Sequence, residues 1–143
     1  MQKQKEITLI EEGLYLGGVA QTKQNIDCCK AALSVLDFDM RKPVWAEFYE
    51  HYNLCDSDQE DEETVKKIII SGIKFIESHI NHGVLVYCGL GVSRSSTIVI
   101  AYIMKKYDLK YEWALKLVQQ KRPQVRPNSL FVKILKQLKF QVE

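Results

Sequence analysis

Hydrophobic positions along the chain change period several times, and each change marks an element. Leu14-Leu16 is a short apolar run that predicts a strand, ended by a turn at Gly17-Gly18. A short helix is expected over residues 21–30. Residues 32–36 form a compact apolar run of buried-strand type, and a further strand is expected over residues 47–54. Val65, Ile68, Ile69, Gly72, Ile73, Ile76 and Ile80 recur at helical spacing, and Asn81-His82-Gly83 ends that helix. Val84-Leu85-Val86-Tyr87 is β-branched and aromatic, the composition of a buried strand.

The second half reads as helical. Residues 95–106 are nearly all apolar, so that helix is expected to be buried on most sides. Residues 111–121 suggest an amphipathic helix with Trp113, Ala114, Leu117 and Val118 on one face. Asn128 is a good N-cap for a last helix carrying Phe131, Ile134, Leu135 and Leu138. Strands alternating with helices, then helices alone, imply an α/β fold: a central, mostly parallel sheet of about five strands flanked by helices.

Composition narrows the class. At 143 residues the chain has the size of one domain, expected to run over 1–143, and it can bury a core without disulfide staples. Apolar residues make up 46% and charged residues 27%, which excludes a wholly disordered chain and a coiled coil. The longest uncharged apolar stretch, residues 95–104, is far short of the roughly 20 residues a membrane span needs. The opening residues Met1 to Lys5 are polar and Gln2 excludes an N-myristoylation site. These features point to the cytosol or nucleus, with no membrane association.

A net charge of +2, from 20 basic and 18 acidic residues, is too even to imply nucleic-acid binding. Cys28, Cys29, Cys55 and Cys88 show neither zinc-site nor disulfide-framework spacing. Four reduced thiols are expected, with no metal and no cofactor.

One segment carries chemistry. The strand 84–87 runs into Cys88, followed by Gly89, Leu90, Gly91, Val92 and Ser93, with Arg94 where a helix begins. A loop feeding a helix N-terminus turns several backbone N–H groups inward and makes an anion nest. Gly89 and Gly91 permit the backbone conformations and close approach such a nest requires. Arg94 can hold two oxygens of a phosphate in a fork. Cys88, at the mouth of this positive field, is expected to be a thiolate and an in-line nucleophile. Ser95 can donate a hydrogen bond to the sulfur when it leaves. A cysteine and an arginine six apart are a weak signal alone; glycine at the third place and serine after the arginine make it specific.

Residues 88–95, Cys-Gly-Leu-Gly-Val-Ser-Arg-Ser, match the C-x-x-G-x-S-R-S signature of dual-specificity protein phosphatases, within the protein tyrosine phosphatase superfamily. Most of the chain resembles this family. Residues 13–17 look like its opening strand and turn, and Arg122-Pro123 through Pro127-Asn128 like the segment before its last helix. The length resembles that of small atypical members. The resemblance implies hydrolysis of phosphotyrosine and phosphoserine or phosphothreonine through a cysteinyl-phosphate intermediate, a phosphoprotein substrate and a monomer. It also implies an aspartate general acid roughly thirty residues before the cysteine. Asp58 matches best, with Asp56 and Asp61 as rivals. One departure stands out: the family usually has His before the nucleophile, and here Tyr87 stands there. The loop residues Gly89, Leu90 and Val92 supply no charge, which argues against a highly anionic lipid headgroup.

Other readings stay open at this point. Tyr87 suits a degenerate phosphatase that binds phosphoproteins without turnover. A sulfur-transfer or arsenate-reducing enzyme would use a similar anion loop and need no Asp58. An RNA or glycan phosphate also fits the loop. Most of the acidic cluster at 56–63 reads as a solvated helix start, and His51, His79 and His82 lack ligand spacing.

Overall fold

A computed structural model describes residues 7–140. The polar opening Met1 to Lys5, with Gln2, lies outside the described residues. Five strands form one sheet: β1 (Thr8–Glu11), β2 (Leu14–Gly18), β3 (Ala31–Leu36), β4 (Phe48–Asn53) and β5 (Val84–Cys88), in the order β1-β2-β5-β3-β4. Only β1 runs antiparallel to its neighbour; the other pairings are parallel. Four α-helices follow or interleave: α1 (Glu62–His79), α2 (Arg94–Tyr107), α3 (Tyr111–Lys121) and α4 (Ser129–Gln137). The α/β sheet with flanking helices expected from the sequence is the observed architecture.

The two faces of the sheet are covered differently. Leu14, Leu16, Leu33, Val35, Val84 and Val86 face the helices and pack in one core with Ile69, Ile73, Ile98, Val99, Phe131 and Ile134. The alternate residues Ala32, Leu36, Leu85 and Tyr87 face the other way, onto Ile26, Cys29 and Ala46 from the connections before β3 and β4. Both faces of the central strand are therefore dry, which is why β5 is apolar at every position rather than at alternate ones. At Gly72 of α1, an added Cβ would meet the Ile98 side chain of α2 at 2.7 Å, so glycine lets these helices close on each other.

Helix boundaries follow local chemistry. Asp61 caps α1 by accepting from the Thr64 amide at 3.0 Å, with Glu62 and Glu63 in the first turn where the helix dipole favours acids. α2 ends at Asp108 in the left-handed region (φ 54°). Asn128 caps α4 by accepting from the Phe131 amide at 3.0 Å, as its position implied.

Three expectations are corrected, and one strand is added. Residues 21–30 do not form an α-helix: a short 3-10 turn covers Val19–Lys23, and the chain then runs irregularly into β3. Ile26 and Cys29 must reach the second face of the sheet, and the Lys30 amide must reach the carbonyls of His82 and Gly83, which a helix ending there would prevent. Gly17 and Gly18 are not a turn but the end of β2, paired with Tyr87 and Cys88. β1 was not anticipated; its four residues have a single buried position, too short a run to register as alternation. In α3, Ala114 and Val118 are buried with Tyr111, whereas Trp113 and Leu117 lie on the exposed side. No helix among the described residues is long and apolar enough to cross a membrane.

Candidate active site

β5 sits between β2 and β3, so its C-terminal end opens where the strand order reverses, the place where open parallel sheets bind ligands. Cys88 is the last residue of β5, and the loop 89–93 leads directly into α2 at Arg94.

The loop's shape is fixed from outside. The Gly89 carbonyl accepts from the Val19 amide (3.2 Å), and the Val92 carbonyl from the Arg126 amide and the Ser96 hydroxyl (both 2.7 Å). Ser96 and Thr97 hydroxyls donate to the Ser93 carbonyl at 2.8 and 2.7 Å. The carbonyls of Leu90 and Gly91 both accept from the buried Arg122, through Nη2 and Nε, each at 3.0 Å. In a trans peptide the N–H points opposite to the carbonyl before it, and the described chain has no cis peptide. With five successive carbonyls held outward, the amides of Leu90 to Arg94 turn toward the hollow beside Cys88. Such an arrangement of amides is able to hold an anion.

Glycine is required at two points of this construction. Gly91 has φ +70°, and a Cβ there would lie 2.6 Å from the Gly17 carbonyl oxygen and 2.8 Å from Arg122 Nη2. At Gly18 an added Cβ would meet the Gly89 carbonyl at 2.8 Å. β2 and the loop touch backbone to backbone.

Cys88 is buried, with Sγ 3.1 Å from Ser95 Oγ, within hydrogen-bond reach. Arg94 uses Nη1 on the Leu54 carbonyl (3.0 Å) and lies 3.7 Å from Asp37 Oδ1 just past β3. An ideal Cβ on Gly89 would lie 3.2 Å from Arg94 Nη2, so the other edge of the guanidinium faces the loop. Ser93 is buried and its hydroxyl donates to Asp56 Oδ1 (2.7 Å) while accepting from the Asn128 amide (3.0 Å). Asn128 Nδ2 donates to the same Asp56 oxygen at 2.8 Å. Leu90 is 77% exposed and forms the outer lip.

The sequence-derived set Cys88, Gly89, Leu90, Gly91, Val92, Ser93, Arg94 and Ser95 thus forms one contiguous loop and helix start. The three candidate acids separate. Asp61 is the cap of α1. Asp58 is exposed, its Oδ1 accepting from Gln59 Nε2 at 3.0 Å. Asp56 is the carboxylate hydrogen-bonded to the loop.

Arg122 was noted only as part of a resembling segment, yet it holds two loop carbonyls and donates to Thr8 Oγ1 at 2.8 Å. Its signal was available: one of four arginines in a lysine-rich chain, and followed by proline. Burial pushes its guanidinium down from the ordinary value, and the Cys88 sulfur pulls it back up.

Tyr87 points away from the loop into the second face of the sheet, 2% exposed. Burial chiefly, with the Asp39 charge, pushes its phenol up to about 12, against hydrogen bonds from Ser34 and Tyr49. Ser34 pairs in register with both Tyr87 and His51, and Ser34 Oγ lies 2.9 Å from His51 Nδ1.

Comparison with known proteins agrees with this geometry. The family model for the dual specificity phosphatase catalytic domain matches residues 14–141. Dual specificity protein phosphatase 1B of Arabidopsis thaliana is 30% identical over 145 residues, covering 97% of this chain and 85% of that protein. A probable dual specificity protein phosphatase of Dictyostelium discoideum is 34% identical over 135 residues, covering 92% of this chain but 34% of that protein. Another Dictyostelium relative, a MAP kinase phosphatase with leucine-rich repeats, is matched over 14% of its length. The crystal structure of the human tyrosine phosphatase-like serine/threonine/tyrosine-interacting protein superposes with a TM-score of 0.82 at 26% identity, covering 92% and 94% of the two chains. The chain belongs to the dual specificity phosphatase family.

Proposed function

We propose that the chain hydrolyses phosphotyrosine and phosphoserine or phosphothreonine in proteins through a cysteinyl-phosphate intermediate. The observation that carries this reading is the loop whose carbonyls 89–93 are all held outward, leaving a nest of amides and the Arg94 guanidinium beside Cys88. Such a preorganised positive hollow suits the equatorial oxygens of a transferring phosphoryl group.

In the first step the Cys88 thiolate attacks phosphorus, the bond from phosphorus to the substrate oxygen breaks, and a carboxylic acid protonates that oxygen. In the second, water attacks phosphorus, the sulfur–phosphorus bond breaks, and the carboxylate takes the proton of the water. Ser95, 3.1 Å from the sulfur, hydrogen-bonds the leaving thiolate.

Spacing alone favoured Asp58 as the acid; the geometry favours Asp56. Its segment is attached to the loop twice, through Arg94 on the Leu54 carbonyl and through Ser93 and Asn128 on Asp56 Oδ1, which leaves Oδ2 for the leaving oxygen. Asp58 lies beyond these attachments.

A second reading, a phosphoprotein-binding domain without turnover, is favoured by Tyr87 in the place of the usual His. The deciding experiment is hydrolysis of an aryl phosphate at about pH 6 in EDTA, near the optimum for an acid–base pair of this kind. Turnover by wild type that disappears in Cys88→Ser supports the enzyme. No turnover by folded wild type, with phosphopeptide binding retained, supports the binder.

A further inference from the structure

We propose that Asp37 is a specificity-determining residue: a carboxylate on the rim of the phosphate site that selects against substrates bearing a second anionic group beside the phosphate. The inference rests on the phosphatase reading and adds a substrate class to it.

Asp37 directly follows β3, and β3 lies beside β5, so Asp37 stands at the same edge of the sheet as Cys88. Its Oδ1 lies 3.7 Å from Arg94 Nη1. The two partners differ in exposure. The Arg94 side chain is 14% exposed, whereas that of Asp37 is 52% exposed, so the carboxylate meets the guanidinium on one side and solvent on the other. Arg94 is the sole formal charge between Cys88 and Ser95. Arg122 lies behind the loop and is engaged with its carbonyls. Asp56 also stands at the rim, but it is tied to Ser93 and Asn128, whereas Asp37 is the carboxylate 3.7 Å from the Arg94 guanidinium and so bears directly on the charge that holds the phosphate.

Holding Arg94 in place does not require Asp37, because Nη1 already donates to the Leu54 carbonyl at the shorter distance of 3.0 Å. What the carboxylate adds is charge. A bound phosphate dianion sits against the other edge of the same guanidinium and is repelled by Asp37. A second phosphate or acidic residue on that flank adds more negative charge to the same rim. The favoured substrate is a lone phosphomonoester on an uncharged or basic stretch.

The test uses binding, so that it does not depend on turnover. Inorganic phosphate is titrated into Cys88→Ser and into Cys88→Ser/Asp37→Asn, followed by two peptides that differ only in a phosphothreonine two residues from the phosphotyrosine. The expected result is phosphate bound about three- to tenfold more tightly without the carboxylate, as a unit charge several ångströms away at a partly exposed site gives. The doubly phosphorylated peptide gains more than the singly phosphorylated one. Unchanged or weaker phosphate binding in the double variant overturns the proposal, as does an equal gain for the two peptides. If neither protein binds phosphate or either peptide, the phosphate site itself is overturned, a failure distinct from the loss of selectivity.

Discussion

Ser93 donates its hydroxyl to Asp56 at 2.7 Å, tying the loop that follows β4 to the loop that follows β5. Both partners meet Asn128 as well, which caps α4 with its side-chain oxygen. Three segments distant in sequence are thereby held in one hydrogen-bonded group at the edge of the phosphate nest. The carboxylate in that group is Asp56, and this position is what supports proposing it as the proton donor.

Asp56→Asn is expected to lower kcat on a phosphotyrosine peptide by about a hundredfold, the lower range for loss of a general acid, and to remove the alkaline limb of the kcat profile. Asp58→Asn, altering an exposed side chain, is expected to change kcat less than about threefold. Steady-state kinetics across pH on both variants checks this; the reverse ranking returns the role to Asp58.

Gly91→Ala tests the nest without replacing a charged residue, although the new Cβ also presses on Arg122 Nη2 at 2.8 Å. Alanine must adopt φ +70° and place its Cβ 2.6 Å from a backbone oxygen. The loop has to shift, and a loss of about a hundredfold in kcat/KM is expected from misplaced amides near the reacting centre. A folded variant with full activity would show that the loop tolerates another shape.

Arg122→Leu removes a buried cation and leaves the carbonyls of Leu90 and Gly91 without their donors. Hydrogen bonds to charged groups contribute about 1.5–3 kcal/mol each, so a loss of about 3 kcal/mol in urea unfolding is expected. Weaker inhibition by inorganic phosphate should accompany it. Arg122→Lys restores the charge but not the fork, and recovers stability only in part.

Tyr87 makes stability sensitive to alkali. Burial raises its phenol to about 12, above the ordinary value near 10, so the native state favours the neutral form. Its contribution is fully present below about pH 10 and is lost as pH rises toward 12. Tyr49 and Tyr52 are also shifted upward by burial and by their carboxylate partners Asp39 and Glu50. Circular dichroism and tyrosine absorbance followed together should show ionisation coinciding with unfolding in this range. Tyr87→Phe should leave the activity profile below pH 9 unchanged in shape.

Helices were the most legible elements because burial stripes repeat over several turns, as from Val65 to Ile76. The expected helix over residues 21–30 does not form because the Gln21 side chain is taken by the Gly18 amide and the Lys30 amide by the distant carbonyls of His82 and Gly83. Trp113 and Leu117 share an apolar face with Ala114 and Val118 by spacing, yet only the latter pair is buried, because hydrophobicity marks a core face only when something covers it. The signature loop could be read residue by residue, since its chemistry lies within eight consecutive positions. The contacts of Arg122, and the choice among the rivals Asp56, Asp58 and Asp61, could not, because both depend on where the chain returns to the loop from elsewhere. Counting residues back from Cys88 gave Asp58, whereas the strand end at Asn53 and the two attachments after it bring Asp56 to the loop.

The most direct measurement is a single turnover on a phosphotyrosine peptide, stopped by denaturing quench and followed by mass spectrometry of the peptide containing Cys88. One transient phosphoryl group is expected on Cys88, rising before free phosphate and absent in Cys88→Ser. Phosphate release with no phosphoryl group on Cys88, or release that persists in Cys88→Ser, would contradict the cysteinyl-phosphate mechanism.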